Sequence, residues 1–284
     1  MKKVERVIKT WLRERGVRFG KTTSPERLDG FFKLIRPVTT NHELVRIGKK
    51  ADGGYLLPND FSGINVCFSP GVSLEVHFEV ALAKMGIKSY LADYSVDFPP
   101  IRNPMFDFEK KFLGMENDAI HTTLESWVNS KAGNDEKDMI LQMDIEGCEY
   151  EVLFDTSNEL LNRFRIIIIE FHKLDALLDK FGYQIITTAF RKLLKQFDVV
   201  HIHPNNNSSP VGYKKYEIPP DMEFTFLRKD RITQRAFTSS FPHELDAKNM
   251  ETKSDLFLPS CWYHDEARGR TRSTGTRPKI VSHS

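Results

Sequence analysis

The stretch Leu141-Gln142-Met143-Asp144-Ile145-Glu146-Gly147-Cys148-Glu149 follows directly on the apolar pair Met139-Ile140 and decides the reading of the whole chain. A short apolar run closed by acids and a glycine reads as a buried strand that delivers carboxylates to its carboxyl end. In open α/β sheets ligands bind in the crevice beyond the carboxyl ends of the strands, so Asp144 and Glu146 are candidate site residues by position alone. The arrangement recurs twice. Ile166-Ile167-Ile168-Ile169 runs into Glu170-Phe171-His172, and Val199-Val200-His201-Ile202 runs into His203-Pro204-Asn205-Asn206. If these strands are parallel neighbours, Asp144, Glu146, Glu170, His172, His203 and Asn205 converge on one rim.

Outward from that stretch, strand patterns alternate with helical ones, as in a parallel sheet covered by helices. Residues 64–68 read as the first strand, followed by the turn Ser69-Pro70-Gly71-Val72-Ser73 and a helix through Val76, Phe78, Val80, Ala81 and Met85 that Gly86 stops. Residues 88–92 form a second strand ending at Asp93. A third is expected near residues 109–114, its following loop carrying Asn117 and Asp118. Thr122 with Glu125 three residues later resembles a capping box with Thr122 as N-cap. Beyond the Asp144 strand, a helix is expected over residues 150–164, a fifth strand over 165–169 and the end of another helix over 190–197. Residues 199–203 and 222–228 are separated by a loop rich in Pro, Asn and Gly, and read as an antiparallel pair at the sheet edge. The fold expected is α/β: a doubly wound, Rossmann-like sheet of seven strands, mostly parallel, with an antiparallel last strand.

With 284 residues, 40% of them hydrophobic, the chain can bury one sizeable core. Its net charge of +2 owes much to the last eighteen residues, which hold Arg268, Arg270, Arg272, Arg277 and Lys279 and no acid. The rest is mildly acidic, which argues against a nucleic-acid partner, because neutralising phosphates takes a dense basic patch. Cys67, Cys148 and Cys261 are odd in number and lack the C-x-x-C spacing of a metal clip, so they read as reduced thiols of a cytoplasmic protein. Val4, Val7, Ile8, Trp11 and Leu12 lie at helical spacing among Lys and Arg, a basic amphipathic helix that would lie on the domain or on a membrane surface. No run approaches the ~18 apolar residues of a transmembrane segment. The expected organisation is an N-terminal helix and lid segment over residues 1–61, a core over 62–230, a wrapping segment over 231–265 and a basic tail over 266–284. In the first of these, Asp52-Gly53-Gly54-Tyr55 permits a tight turn, as a lid or a plain hairpin.

A parallel sheet that closes with an antiparallel last strand points to the class I methyltransferases. Asp144-Ile145-Glu146-Gly147-Cys148-Glu149 matches the D-[IV]-E-G-x-E motif of the FkbM-type members, and Glu170-Phe171-His172 matches the acid beside a histidine at the end of their fifth strand. The chain resembles that family over about residues 62–230. The resemblance implies S-adenosylmethionine as cofactor and methylation of an oxygen on a small sugar or glycan-like acceptor. On the cofactor side it implicates Ser69, standing where family members carry an acid, with Gly71 and Ser73 of the first turn. Asp93, 22 residues beyond Gly71, would accept the ribose hydroxyls. Tyr94 would form a wall, and Asn117 or Asp118 would sit near the adenine.

A hydroxyl acceptor needs a base, for which His172 and His203 are candidates. Asp144 and Glu146 would orient that base, bind sugar hydroxyls, or hold a divalent cation. The metal set would be Asp144, Glu170 and His172, whose ligand types suit Mg²⁺ or Mn²⁺. Glu146, Glu170, Asn205 and Asn206 suit recognition of a polyhydroxylated substrate. Two alternatives stand beside this reading: a metal-dependent hydrolase built on the same rim, and a non-catalytic binding module. The oligomeric state is left open.

Overall fold

The computed structural model describes residue 11, residues 20–133 and residues 138–263. The basic tail lies outside the described residues, as does the N-terminal amphipathic segment apart from Trp11.

Seven strands form one sheet: β1 (Val66–Pro70), β2 (Lys88–Ala92), β3 (Phe106–Glu109), β4 (Met139–Met143), β5 (Phe164–Phe171), β6 (Phe197–Pro204) and β7 (Met222–Arg228), in the spatial order β6-β7-β5-β4-β1-β2-β3. From β5 through β4, β1 and β2 to β3 every pairing is parallel, whereas β7 runs antiparallel to both β5 and β6. The last strand in sequence is therefore the antiparallel one, and it lies between β5 and the edge strand β6. This mixed α/β sheet is consistent with a Rossmann-like fold. The interior strand β5 is buried along all eight residues, which suits its β-branched run Ile166 to Ile169.

Alternate residues on the strands feed two apolar layers, because successive side chains point to opposite faces. Phe68, Leu141, Ile167 and Ile169 pack into a cluster with Phe31 and Phe32 of α1 (Pro25–Leu34). Trp127 of α3 (Leu124–Ala132) and Phe190 of α6 (Lys180–Leu193) join the same cluster. Cys67, Ile140, Ile166 and Ile168 face the other way, onto Phe78 and Leu82 of α2 (His77–Lys84) and onto Ile47, Tyr55 and Leu57. Those last three belong to an antiparallel hairpin, Leu44–Gly48 with Gly54–Pro58. This is the Asp52-Gly53 hairpin expected from sequence, and its Gly53 backbone lies so close to Glu75 that a Cβ there would sit 2.4 Å from the Glu75 Cγ.

Several boundaries differ from expectation for local reasons. The third strand is Phe106–Glu109, while Phe112–Gly114 forms a separate parallel ladder with His121–Thr123. The helix expected over residues 150–164 is two, α4 (Glu149–Asp155) and α5 (Asn158–Leu161). Thr156 is extended, and the Ser157 side chain caps the second helix by accepting from the Leu160 N–H at 3.1 Å. The cap of α3 is Thr123, one residue later than the capping box implied, with its hydroxyl accepting from the Ser126 N–H at 3.2 Å. Residues beyond β7 wrap the sheet. Arg235–Phe237 pairs with Val38–Thr40, and Trp262 packs fully buried against Phe32. Among the described residues no helix is long and apolar enough to cross a membrane.

Candidate functional site

The turn after β1 and the end of β4 touch backbone to backbone. Gly71 adopts φ 86°, and a Cβ on it would lie 1.6 Å from the Asp144 carbonyl oxygen, so no side chain fits there. The Gly71 N–H donates to the Ala92 carbonyl at 2.9 Å. Asp93, buried at the end of β2, secures the same turn: its Oδ2 accepts from the Ser73 N–H at 2.8 Å, and its Oδ1 accepts from the Ser95 N–H and hydroxyl at 2.7 and 2.6 Å. Around these strand ends lies a cavity of about 350 Å³. Gly71, Ser73, Asp144 and Glu146, four of the candidate residues, line it. Asp52 and Tyr55 of the hairpin line it too, as do Glu75, Glu79 and Gln142, for which the sequence suggested no site role. A larger cavity, about 450 Å³, lies beside β6 between residues 38–44 and 238–244 and holds none of the expected site residues.

Beside the first cavity the β4 and β5 ends form a cluster of acids around one imidazole. Glu146 and Gly147 take φ values of 56° and 105° to turn the chain into α4. That turn places Glu149, fully buried, beneath His172: Glu149 Oε1 accepts from the Gly147 N–H and from His172 Nδ1, each at 3.0 Å. With Nδ1 so engaged, His172 Nε2 faces Glu146 Oε2 at 3.7 Å, Asp144 Oδ1 at 3.8 Å and Glu170 Oε1 at 4.0 Å. Burial alone would lower the His172 pKa, but the hydrogen bond and charge of Glu149, with Glu170 and Asp144, overcome it and raise the imidazole to about 9. The carboxyls respond in the opposite sense to the same crowding. Burial first, and the neighbouring Glu223 second, push Glu170 up to about 8, while burial and Glu170 lift Asp144 well above the ordinary carboxylate range. Near neutrality His172 is thus an imidazolium amid acids.

Asp144 Oδ1 and Glu149 Oε2 are buried without a hydrogen-bond partner among the described residues. Asp144, Glu149 and His172 each offer a ligand atom within 4.8 Å of the others, so Glu149 completes the tightest grouping in place of the expected Glu170. Glu170 Oε1 instead accepts from Asn205 Nδ2 at 2.7 Å.

The remaining expected residues are placed elsewhere. His203 is buried on β6 with Nδ1 3.7 Å from Asp246 Oδ1; burial lowers its pKa against the pull of Asp246, and it does not line the 350 Å³ cavity. Asn206 fastens the wrapping segment, donating to the Met250 and Ser254 carbonyls at 2.9 and 3.2 Å. Asn117 Oδ1 accepts from the Thr123 N–H at 3.0 Å. Asp118 is exposed and held at about 2, chiefly by the His121 and Ile120 N–H groups with the His121 side chain. Tyr94 packs against Phe112 with ring centroids 5.4 Å apart. Ser69 is fully buried behind the cavity wall, bonded to Glu79 and Gln142.

Two acids were legible but passed over. Glu149 stood inside the quoted motif. Glu79 lies three residues after Val76 and three before Leu82, so an acid occupies the buried stripe of α2.

Residues 116–194 match the family model of the methyltransferase FkbM domain. The FkbM segment runs from the Asn117 loop through α3, β4 and β5 to the end of α6, and so contains Asp144, Glu146, Glu149, Glu170 and His172. The match supports a methyltransferase, a class that in general takes its methyl group from S-adenosylmethionine. No curated protein matches the chain.

Proposed function

We propose that the protein is a cytoplasmic S-adenosylmethionine-dependent methyltransferase of doubly wound, Rossmann-like fold that methylates an oxygen of a sugar or glycan-like small molecule. One observation carries the reading. The FkbM segment supplies Asp144 and Glu146 to the same cavity wall as the Gly71 turn, with His172 and Glu149 directly behind. The residues fit the cofactor in two respects: the Gly71 turn is a backbone cradle that a Cβ would fill, and the cavity volume lies in the range of small-molecule sites. Gly71 and Ser73 would hold it at the first turn, Asp93 at the ribose, and Tyr94 with Asn117 or Asp118 at the adenine. When bound, it supplies the methyl group.

The chain's own part is to position the acceptor and take its proton. In this reading the base is the Asp144–His172 pair: both groups have raised pKa values, and the pair accepts the acceptor's proton once it has lost one of its own. Glu146, whose side chain is 89% exposed, is available to acceptor hydroxyls, with the buried Glu170, bonded to Asn205, standing behind it. His203 and Asn206 serve to anchor the wrapping segment rather than to touch the acceptor.

Calorimetric titration of metal-stripped protein with S-adenosylhomocysteine tests the reading. Micromolar binding, weakened at least tenfold in Asp93→Ala, is expected; absence of binding with and without added Mg²⁺ would overturn it. The grouping of Asp144, Glu149 and His172 favours a second reading, a metal-dependent hydrolase, which would instead give a stoichiometric metal on elemental analysis and no nucleoside affinity.

A further inference from the structure

The 350 Å³ cavity is lined by five acids, Asp52, Glu75, Glu79, Asp144 and Glu146, and by no Lys, Arg or His. Most of that charge is answered nearby. Glu75 is bonded to Lys49 and His77, Asp144 and Glu146 face His172, and Asp52 is exposed with its Oδ1 on the Gly53 N–H at 3.0 Å. Glu79 differs: it is buried, 3% exposed, and among the described residues it has no ion pair.

Its hydrogen bonds show how such a group is tolerated. Ser69 Oγ is bonded to a Glu79 oxygen and lies 2.6 Å from Gln142 Oε1, and Gln142 Nε2 donates to the Tyr55 hydroxyl at 3.1 Å. One hydroxyl hydrogen cannot serve two acceptors. With the amide in this orientation Ser69 donates to Gln142, so Glu79 must be the protonated donor to Ser69. Turning the amide over gives a second complete scheme, in which Tyr55 donates to Gln142, Gln142 to Ser69, and Ser69 to an ionised Glu79. The two schemes differ by one proton on Glu79, and in both of them Ser69, Gln142 and Glu79 are joined in one chain of hydrogen bonds.

We infer that Glu79 receives the cationic amino group of the bound cofactor, and that it releases its proton to solvent as that group arrives. The inference rests on the methyltransferase reading. An ammonium is the fitting partner because it offers N–H donors for a charge-assisted bond, which a sulfonium does not. Burial, opposed by the Ser69 bond, raises Glu79 to about 7, so little work separates its two states at neutral pH. The titratable groups around it leave it as the responsive one. Cys67 on β1 and Tyr55 on the hairpin are held neutral by burial, Glu75 is paired with Lys49 and bonded to His77, and Ser69 and Gln142 carry no charge.

Titration calorimetry of the full chain at pH 6 in buffers of different ionisation enthalpy reads the proton directly. S-adenosylhomocysteine should release close to one proton, and methylthioadenosine, which lacks the amino acid moiety, should release none. Glu79→Gln keeps a donor for Ser69 and should fold; it should abolish the release and weaken S-adenosylhomocysteine binding at least tenfold, with methylthioadenosine binding unchanged. Homocysteine-nucleoside binding without proton release, or with unaltered affinity in Glu79→Gln, would overturn the inference and leave the methyltransferase reading standing. Failure of the unmutated protein to bind either nucleoside would overturn both.

Discussion

His172 is ringed by Asp144, Glu146, Glu149 and Glu170, and this ring decides how its chemistry is divided. His172, raised to about 9, and Asp144, raised well above the carboxylate range, hold protons in common, so in the proposed mechanism the acceptor's proton goes to this pair, in which Asp144 Oδ1 is buried without a hydrogen-bond partner among the described residues. Asp144→Asn should therefore lower turnover by about 10²–10⁴-fold. Cofactor-product affinity, followed by calorimetry, should change by less than about threefold; wild-type turnover in this variant on an identified acceptor would remove Asp144 from the mechanism. At this scale the sequence was partly legible. Acids at strand ends announced Asp144, Glu146, Glu170 and His172, because their neighbours are uniformly apolar. Nothing local distinguished His203, whose surroundings come from Asp246, forty-three residues on. Glu223 was hidden in the same way: it sits opposite both Glu170 and His203 in register, a relation that only strand pairing creates.

Among the elements, the apolar runs of β4 and β5 were legible, whereas the helix end expected over residues 190–197 stops at Leu193, and Phe197 already opens β6. The Ile166 to Ile169 run could only be an interior strand. Phe112-Leu113 looked more strand-like than Phe106-Asp107-Phe108-Glu109, yet the latter pairs with β2, since cross-strand partners rather than propensity select the edge. Helix ends turned on single side chains. Asp179 caps α6 by accepting from the Phe181 and Gly182 N–H groups at 2.8 and 3.2 Å, and Gly182 itself is pressed against the Ala176 carbonyl. Asp179→Ala should cost about 1 kcal/mol in chemical denaturation. An unchanged midpoint would mean that tertiary packing alone fixes the start of that helix.

For the molecule as a whole, buried groups with raised pKa values set the pH response. Glu79, Glu170 and Glu223 stand at about 7, 8 and 8 against ordinary values of 4.5, burial being the first cause in each. His172 stands at about 9 against 6.5. A raised group contributes stability that is complete below its unfolded value and is lost as pH rises through its folded value. Groups held low, such as Glu75 and Asp246, act oppositely and lose their contribution only in acid. The thermal midpoint should accordingly fall by roughly 5 °C or more between pH 5.5 and 9. Combined Glu79→Gln, Glu170→Gln and Glu223→Gln substitution should flatten the curve; an unmutated protein with a level profile would show that these groups ionise freely. The seven-stranded plan was legible in the chain, whereas the interlock of the two flanks through Val38–Thr40 and Arg235–Phe237 was not, because no local pattern joins segments so distant. The exposed Cys148 stands between the Gly147 turn and buried Glu149, while Cys67 is sealed in the core and Cys261 is half-buried. Burial and the acids Glu151 and Glu149 raise its thiol, so maleimide coupling will be slow at neutral pH and faster above it. The chain thereby carries a native attachment point for a fluorophore or spin label, one residue from the acid that grips His172.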